Sequence, residues 1–312
     1  MQTILITGGT GFVGRSLSTA LVQSGYKVII LTRSIPRDLP ISNISYALWN
    51  VPAGSIDITA VQAADHIIHL AGAGVVDNKW TVAYKKEIID SRVKSSDLLV
   101  NTLRDHSNSV KTIISTSAIG WYGADTQLSL EQEGFVETDL PAIDFLGETC
   151  RLWEESIDPL TLAGKRIVKL RTGIVLGNGG GALAEFKKPL RFGIAAILGN
   201  GKQILSWIHI DDLCSMFIHA IEDKNTSGVY NAVGAEPVSN RALTICLART
   251  IRGKFFIPVH IPGFILKLFL GERSIEVLKS TTVSCEKIKK AGFSFLYPGI
   301  EGALAELNTN SI

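Results

Sequence analysis

Three glycines at a spacing of three, Gly8, Gly11 and Gly14, stand between the apolar run Ile4-Leu5-Ile6 and a helical pattern from Leu17 to Gln23. The order is strand, tight turn, helix N-terminus. Each glycine removes a Cβ for a different reason: the chain turns sharply at the first, a ligand's pyrophosphate approaches the backbone at the second, and the helix packs on the strand at the third. The freed amides and the positive end of the helix dipole then favour an anion. At the start of a βαβ unit, Thr7, Gly8, Gly11, Phe12, Val13 and Gly14 are therefore read as the phosphate loop of a dinucleotide site. A tight strand-to-helix turn with no ligand is the plain alternative.

The next strand, Lys27 to Leu31, ends in Thr32-Arg33-Ser34, about 20 residues past the turn, where folds of this kind place the side chain that reads the ribose. An acid there would accept from a 2′-hydroxyl. Arg33 instead suits a 2′-phosphate, with Arg15 and Arg37 as further cations. The expected cofactor is NADP(H).

Composition narrows the class. The 312 residues suffice for one large domain or two unequal lobes, and a net charge of +2 argues against nucleic acid as a partner. A hydrophobic content of 46% suits a parallel sheet covered on both faces. The four cysteines, Cys150, Cys214, Cys246 and Cys285, are widely spaced, so neither a zinc site nor a disulfide framework is expected. A cytoplasmic location fits best. The chain enters a strand without a basic leader, and Ile261 to Leu270 is too short to span a membrane. The expected partners are a small-molecule substrate and a second copy in a homodimer, with no membrane.

Strand and helix patterns alternate through the first half, which predicts a Rossmann doubly wound parallel sheet in an α/β fold. Ser45 to Trp49, Ala64 to Leu70, Lys111 to Ser115, Arg166 to Arg171 and Val229 to Val233 read as further strands, with long helices over Thr81 to Leu103 and Phe145 to Ser156. The small-residue loop at Leu70, Ala71 and Gly72 and the hydroxyl-rich end at Ser115 to Ser117 fall at the carboxyl edge of the sheet, where such folds bind ligands. Gly177 to Gly181 breaks the pattern, as a hinge, lid or phosphate cradle, and Gln203 to Ile210 returns to strand. Short helices follow from Asn240: Glu272 to Ser280, Cys285 to Ala291 and Ile300 to Leu307. The domains are drawn as 1–176 plus about 203–235 for the NADP-binding lobe. A smaller, mostly helical substrate lobe takes about 177–202 plus 236–312.

The glycine turn, Leu70-Ala71-Gly72-Ala73, Ser115-Thr116-Ser117, Arg171-Thr172-Gly173 and Trp207-Ile208-His209-Ile210-Asp211-Asp212, in that order, resemble an extended short-chain dehydrogenase/reductase over nearly the whole chain. Trp80-Thr81, Asp90-Ser91-Arg92-Val93, Trp121-Tyr122-Gly123 and Cys150-Arg151-Leu152-Trp153-Glu154 narrow the resemblance. They are similar to the atypical branch labelled NAD-dependent epimerase/dehydratase or epimerase family protein, which includes cell-division-inhibitor-like sequences. The resemblance implies an oxidoreductase or epimerase. It also exposes a departure: the family's Tyr and the Lys four residues later are replaced by Leu146 and Cys150, and Arg92 falls where an asparagine is usual. The register one residue away, Phe145 with Thr149, supplies no acid either.

Leucine exchanges no proton and a thiol is no fixed cation. Ser117 remains as a hydrogen-bond donor, Arg92 as an oxyanion partner, Cys150 as a thiol whose pKa would fall beside a cationic nicotinamide, and Tyr122 as a surrogate acid. Each has a plainer reading, for Cys150 a buried helix residue and for Tyr122 a pocket wall. His209-Ile210-Asp211-Asp212 reads as a strand end followed by an Asp helix cap rather than a metal cluster, so no metal is expected. His66 and His69 read as satisfied core or rim histidines. Trp80 and Trp207 line a pocket or pack in the core.

Overall fold

The computed structural model describes residues 1–36 and 42–309. Its centre is an eight-stranded sheet built from β1 (Thr3–Thr7), β2 (Lys27–Thr32), β3 (Ile44–Asn50), β4 (Ser55–Ile56), β5 (His66–His69), β6 (Thr112–Ala118), β7 (Arg166–Thr172) and β8 (Gly228–Ala232). The order across it is β8-β7-β6-β5-β1-β2-β3-β4, and every pairing is parallel except the short β3–β4 edge. The chain winds outward from β1 in one direction through β2 and β3, then restarts on the other side of β1 at β5. The carboxyl ends of β1 and β5 therefore diverge, opening the crevice where such sheets hold ligands.

Alternate residues of each strand fill opposite faces, as the period of two requires. On one face Ile4, Ile6, Ile68 and Ile114 join Leu17 and Leu21 of helix α1 (Phe12–Gln23). On the other, Leu5, Ile67 and Ile113 meet Leu99 and Leu103 of helix α2 (Val82–Asp105), against which helix α3 (Phe145–Ile157) lies. A third apolar cluster joins Leu183, Leu190, Leu243, Leu247, Leu304 and Leu307 from the helices Gly181–Leu190, Asn240–Arg252 and Ile300–Thr309. Val283, Cys285, Ile288 and Phe293 pack instead with the sheet, so apolar contact crosses the boundary drawn at residue 236.

Several segments differ from the sequence reading. The strand expected over Gln203 to Ile210 is two short strands, Ile204–Leu205 and Trp207–His209. They are split at Ser206, whose Oγ donates to Thr281 O and accepts from Val283 N. The helix expected over Glu272 to Ser280 is a 3-10 turn followed by Ser274–Leu278. Ile194–Leu198 and Ile257–Ile261 form an unexpected two-stranded parallel sheet. Ile261 to Leu270 gives the eight-residue helix Gly263–Leu270, and no helix among the described residues is long and apolar enough to cross a membrane.

Candidate functional site

The three glycines of the turn serve distinct ends. Gly8 sits at φ +70°, and a Cβ there would lie 2.9 Å from the Leu70 carbonyl group. A Cβ on Gly14 would overlap Gly8 O and the Gly9 backbone. Gly11, the residue that caps α1, has ordinary backbone angles, and its Cβ would meet only Gly8 O, at 3.3 Å. The space over Gly11 is open. No side chain caps α1 and no acid occupies its first turn, so its positive end keeps its capacity for an anion. Gly9, not singled out from sequence, has its Cβ position 2.8 Å from the Ile30 side chain and lets the turn lie on β2. Phe12 lies against Gly177, Gly180 and Gly181, whose Cβ positions fall 2.9–3.2 Å from its ring. The second glycine cluster thus packs against the start of α1.

Beneath the turn runs a fully determined hydrogen-bond chain. Thr7 Oγ1 accepts from Leu70 N and Ala71 N, both at 3.2 Å, which fills its lone pairs. Its proton goes to His69 Nδ1 at 2.7 Å. His69 Nε2–H then donates toward Ser96 Oγ at 3.2 Å and Ser95 Oγ at 3.3 Å, since both hydroxyls spend their own protons on helix carbonyls. Burial, helped by the charge of Arg92, lowers the His69 pKa to about 3, so the ring is neutral and of one tautomer. The satisfied core histidine expected at 69 is what the structure holds. His66 is buried with Nδ1 unpartnered.

Ser117, Leu146 and Cys150 come together at the end of β6. A Cβ on Gly120 would lie 3.2 Å from Leu146 Cβ and 3.7 Å from Cys150 Sγ. The Cys150 thiol points at Ala118 O, 3.6 Å away. Ser117 is 2% exposed, and its hydroxyl faces the Cys150 thiol without another hydrogen-bond partner among the described residues. Arg92, 9% exposed, reaches the same neighbourhood from α2. Its Nη1 donates to Ala73 O at 3.0 Å and Ile88 O at 2.9 Å, and its guanidinium stacks 4.8 Å from the Trp153 ring centroid. Burial pushes the Cys150 thiol up to about 11 despite Arg92 beside it. Desolvation outweighs the neighbouring cation Arg92, so the buried-helix-residue reading of Cys150 describes its surroundings in this structure.

Tyr122 has fixed hydrogen-bond partners. It is buried, its hydroxyl donates to Asn231 Oδ1 at 2.6 Å and accepts from Arg171 Nη1 at 3.0 Å, and burial raises its pKa further above the usual phenol value. Arg171 in turn clasps Glu154 through Nε–Oε1 at 2.8 Å and Nη2–Oε2 at 3.1 Å, and lies 3.6 Å from the Trp121 centroid. Tyr122 belongs to this buried cluster, where no proton is free for exchange. Trp207 is core, while Trp80 meets Phe145 edge-on and donates to Val75 O.

Helix Ile210–Glu222 is capped by His209, not by an aspartate: its Nδ1 accepts from Asp211 N at 3.1 Å. His209 Nε2 meets Glu306 Oε2 at 3.0 Å, so although His209, Asp211 and Glu306 offer ligand atoms within 4.8 Å, both ring nitrogens have protein partners. Asp212 accepts from Leu296 N and Tyr297 N.

Around the crevice, Leu70 and Ala71 are half-buried and Gly72 is exposed, while Ser115 is buried in the middle of β6. Arg33 is exposed just past β2, and neither it nor the exposed Arg15 makes an ion pair among the described residues. Arg37 lies outside the described residues.

Residues 4–145 match the model of the NAD dependent epimerase/dehydratase family, and 261–307 match a domain of unknown function, DUF1731. An epimerase family protein of Staphylococcus saprophyticus is 34% identical over 311 residues, covering 98% of this chain and 99% of the relative. The epimerase family protein YfhF of Bacillus subtilis is 32% identical over 306 residues, 98% of each. Among solved structures, a human epimerase family protein crystallised with NADPH superposes with a TM-score of 0.83 at 24% identity, covering 99% of this chain and 100% of that one.

Proposed function

We propose, from the premise that this chain belongs to the NAD dependent epimerase/dehydratase family, as an atypical extended short-chain dehydrogenase/reductase of the epimerase family protein branch, that it binds NADP(H) and acts on a small carbonyl or alcohol. The observation that carries the proposal is the open, uncapped turn at Gly11 joined to the cations of Arg33 and Arg15, which make no ion pair among the described residues. These residues fit a dinucleotide: the amides of the turn take its diphosphate, Arg33 its 2′-phosphate, and Leu70, Ala71, Gly72 and Ser115 line the nicotinamide end. A human protein of similar fold, solved with NADPH, is consistent with this choice. The cofactor lobe in this reading comprises 1–176 with about 203–235, and the smaller lobe 177–202 with 236–312.

When bound, the nicotinamide supplies or accepts a hydride. Ser117 donates its unpartnered hydroxyl to the substrate oxygen, and Arg92 adds positive charge to the same region. The proton comes from the solvent or from the substrate itself, because Cys150 and Tyr122 hold theirs at neutral pH.

That last property favours a second reading, a regulator that binds NADP(H) without turnover. A screen of carbonyl compounds with NADPH separates the two. Turnover that falls roughly 10²–10³-fold in Ser117→Ala supports the enzyme. Turnover seen only in Leu146→Tyr/Cys150→Lys, and never in the unmutated chain, supports the regulator. Robust turnover indifferent to Ser117→Ala rejects the placement of the site.

A further inference from the structure

Three cationic side chains, Arg92, Lys169 and Arg171, are buried among the described residues. Two have their counter-charge: Lys169 meets Asp158 at 2.5 Å and Arg171 meets Glu154 at 2.8 Å. Among the described residues Arg92 makes no ion pair with a carboxylate, and the acidic groups that act on it are the Cys150 thiol and the Tyr84 phenol. The nearby His69 is neutral. Its hydrogen bonds use Nη1 alone, leaving Nε and Nη2 without a partner among the described residues. The hydroxyl of Ser117 and the indole N–H of Trp153, both buried and unpartnered, lie close by.

A buried charge is ordinarily paired, because withdrawing it from water is costly. Here no pairing group is found among the described residues. We propose that Arg92 receives an anionic group, a carboxylate or phosphate, of the small-molecule substrate, so that the substrate is a carbonyl or alcohol that also carries negative charge. The planar guanidinium, fixed by two carbonyls on one edge and by Trp153 on its face, presents its remaining edge for two parallel hydrogen bonds. Gly72 permits this, since its Cβ position lies 3.0 Å from Arg92 Cζ. The cofactor's own phosphates are the other source of such an anion. They are satisfied at the Gly8–Gly14 turn and at Arg33, whereas Arg92 sits past the end of β5, under Ala73. The inference rests on the assignment of the Ser117 end of the crevice to the substrate.

The test is calorimetric titration of the NADPH-saturated protein with oxalate, with inorganic phosphate and with neutral oxamide. Binding of oxalate or phosphate but not oxamide is expected. Arg92→Gln should weaken that binding about tenfold or more while NADPH affinity stays the same. An Arg92→Gln protein that loses NADPH affinity instead assigns the anion to the cofactor and overturns the proposal. So does NADPH binding by the unmutated protein with no anion binding afterwards. If NADPH itself fails to bind, the reading on which this rests falls with it. A measurement on the unmutated chain covers a variant that does not fold: the Trp153 indole N–H resonance, identified through Trp153→Phe, should move on oxalate addition, and an unmoved resonance overturns the proposal.

Discussion

Thr7 and His69 are joined by a 2.7 Å hydrogen bond from Oγ1 to Nδ1 that ties the last residue of β1 to the last residue of β5. The same hydroxyl holds the amides of Leu70 and Ala71, so the crevice floor depends on a neutral imidazole. The ring resists protonation down to about pH 3, whereas an unfolded histidine takes a proton near 6.5. Between these values the unfolded state binds the extra proton, and stability falls as pH falls. Melting temperatures should therefore drop from pH 7 to pH 5. His69→Gln should melt lower at pH 7 and show a shallower slope. Equal slopes for the two proteins would contradict the neutral, buried ring.

Two glycines of one turn should respond differently to a side chain. Gly11→Val meets little of the protein, so circular dichroism should match the parent while dinucleotide binding disappears. Gly14→Val collides with Gly8 O and the Gly9 backbone and should lower the melting temperature whether or not a ligand is present. A folded Gly11→Val that binds NADPH normally would show that the phosphates lie elsewhere.

Thiol reactivity should follow burial. Cys150 is held near 11 and Cys214 near 12, both by desolvation, while Cys246 is partly exposed. Iodoacetamide at pH 8 should label Cys246 first and leave Cys150 intact until the protein unfolds. Early labelling of Cys150, read by peptide mass spectrometry, would restore it as a reactive group.

The Arg171–Glu154 pair is buried on both sides, with side chains 2% and 5% exposed. Glu154→Gln leaves the guanidinium without its charge partner and should cost about 3–5 kcal/mol in urea unfolding. Replacing both by apolar residues should cost less than the two single changes added. Strict additivity would mean that the pair is not coupled.

The sheet was legible because parallel strands buried on both faces read as unbroken apolar runs, as Ile4 to Ile6 and Val28 to Leu31 do. Ile194–Leu198 and Ile257–Ile261 were not, since each is five residues long and its partner lies some sixty residues away, with Pro258 weakening the strand signal. His209 hid as a cap because imidazole is seldom the capping group, and Asp211 and Asp212 follow it after Ile210. Leu146 and Cys150 could be aligned with the family's Tyr and Lys from sequence. That Arg92 lies beside Cys150 depends on how α2 and α3 pack, which no local pattern records.

The most direct measurement is the affinity of the unmutated protein for NADPH and NADH, followed by calorimetry or by nicotinamide fluorescence, with Arg33→Asp alongside. NADPH should bind about ten- to a hundredfold more tightly, through the charge-assisted bonds that Arg33 offers a 2′-phosphate. Arg33→Asp should narrow or invert the preference. Equal affinities for the two dinucleotides, or binding of neither, would contradict it.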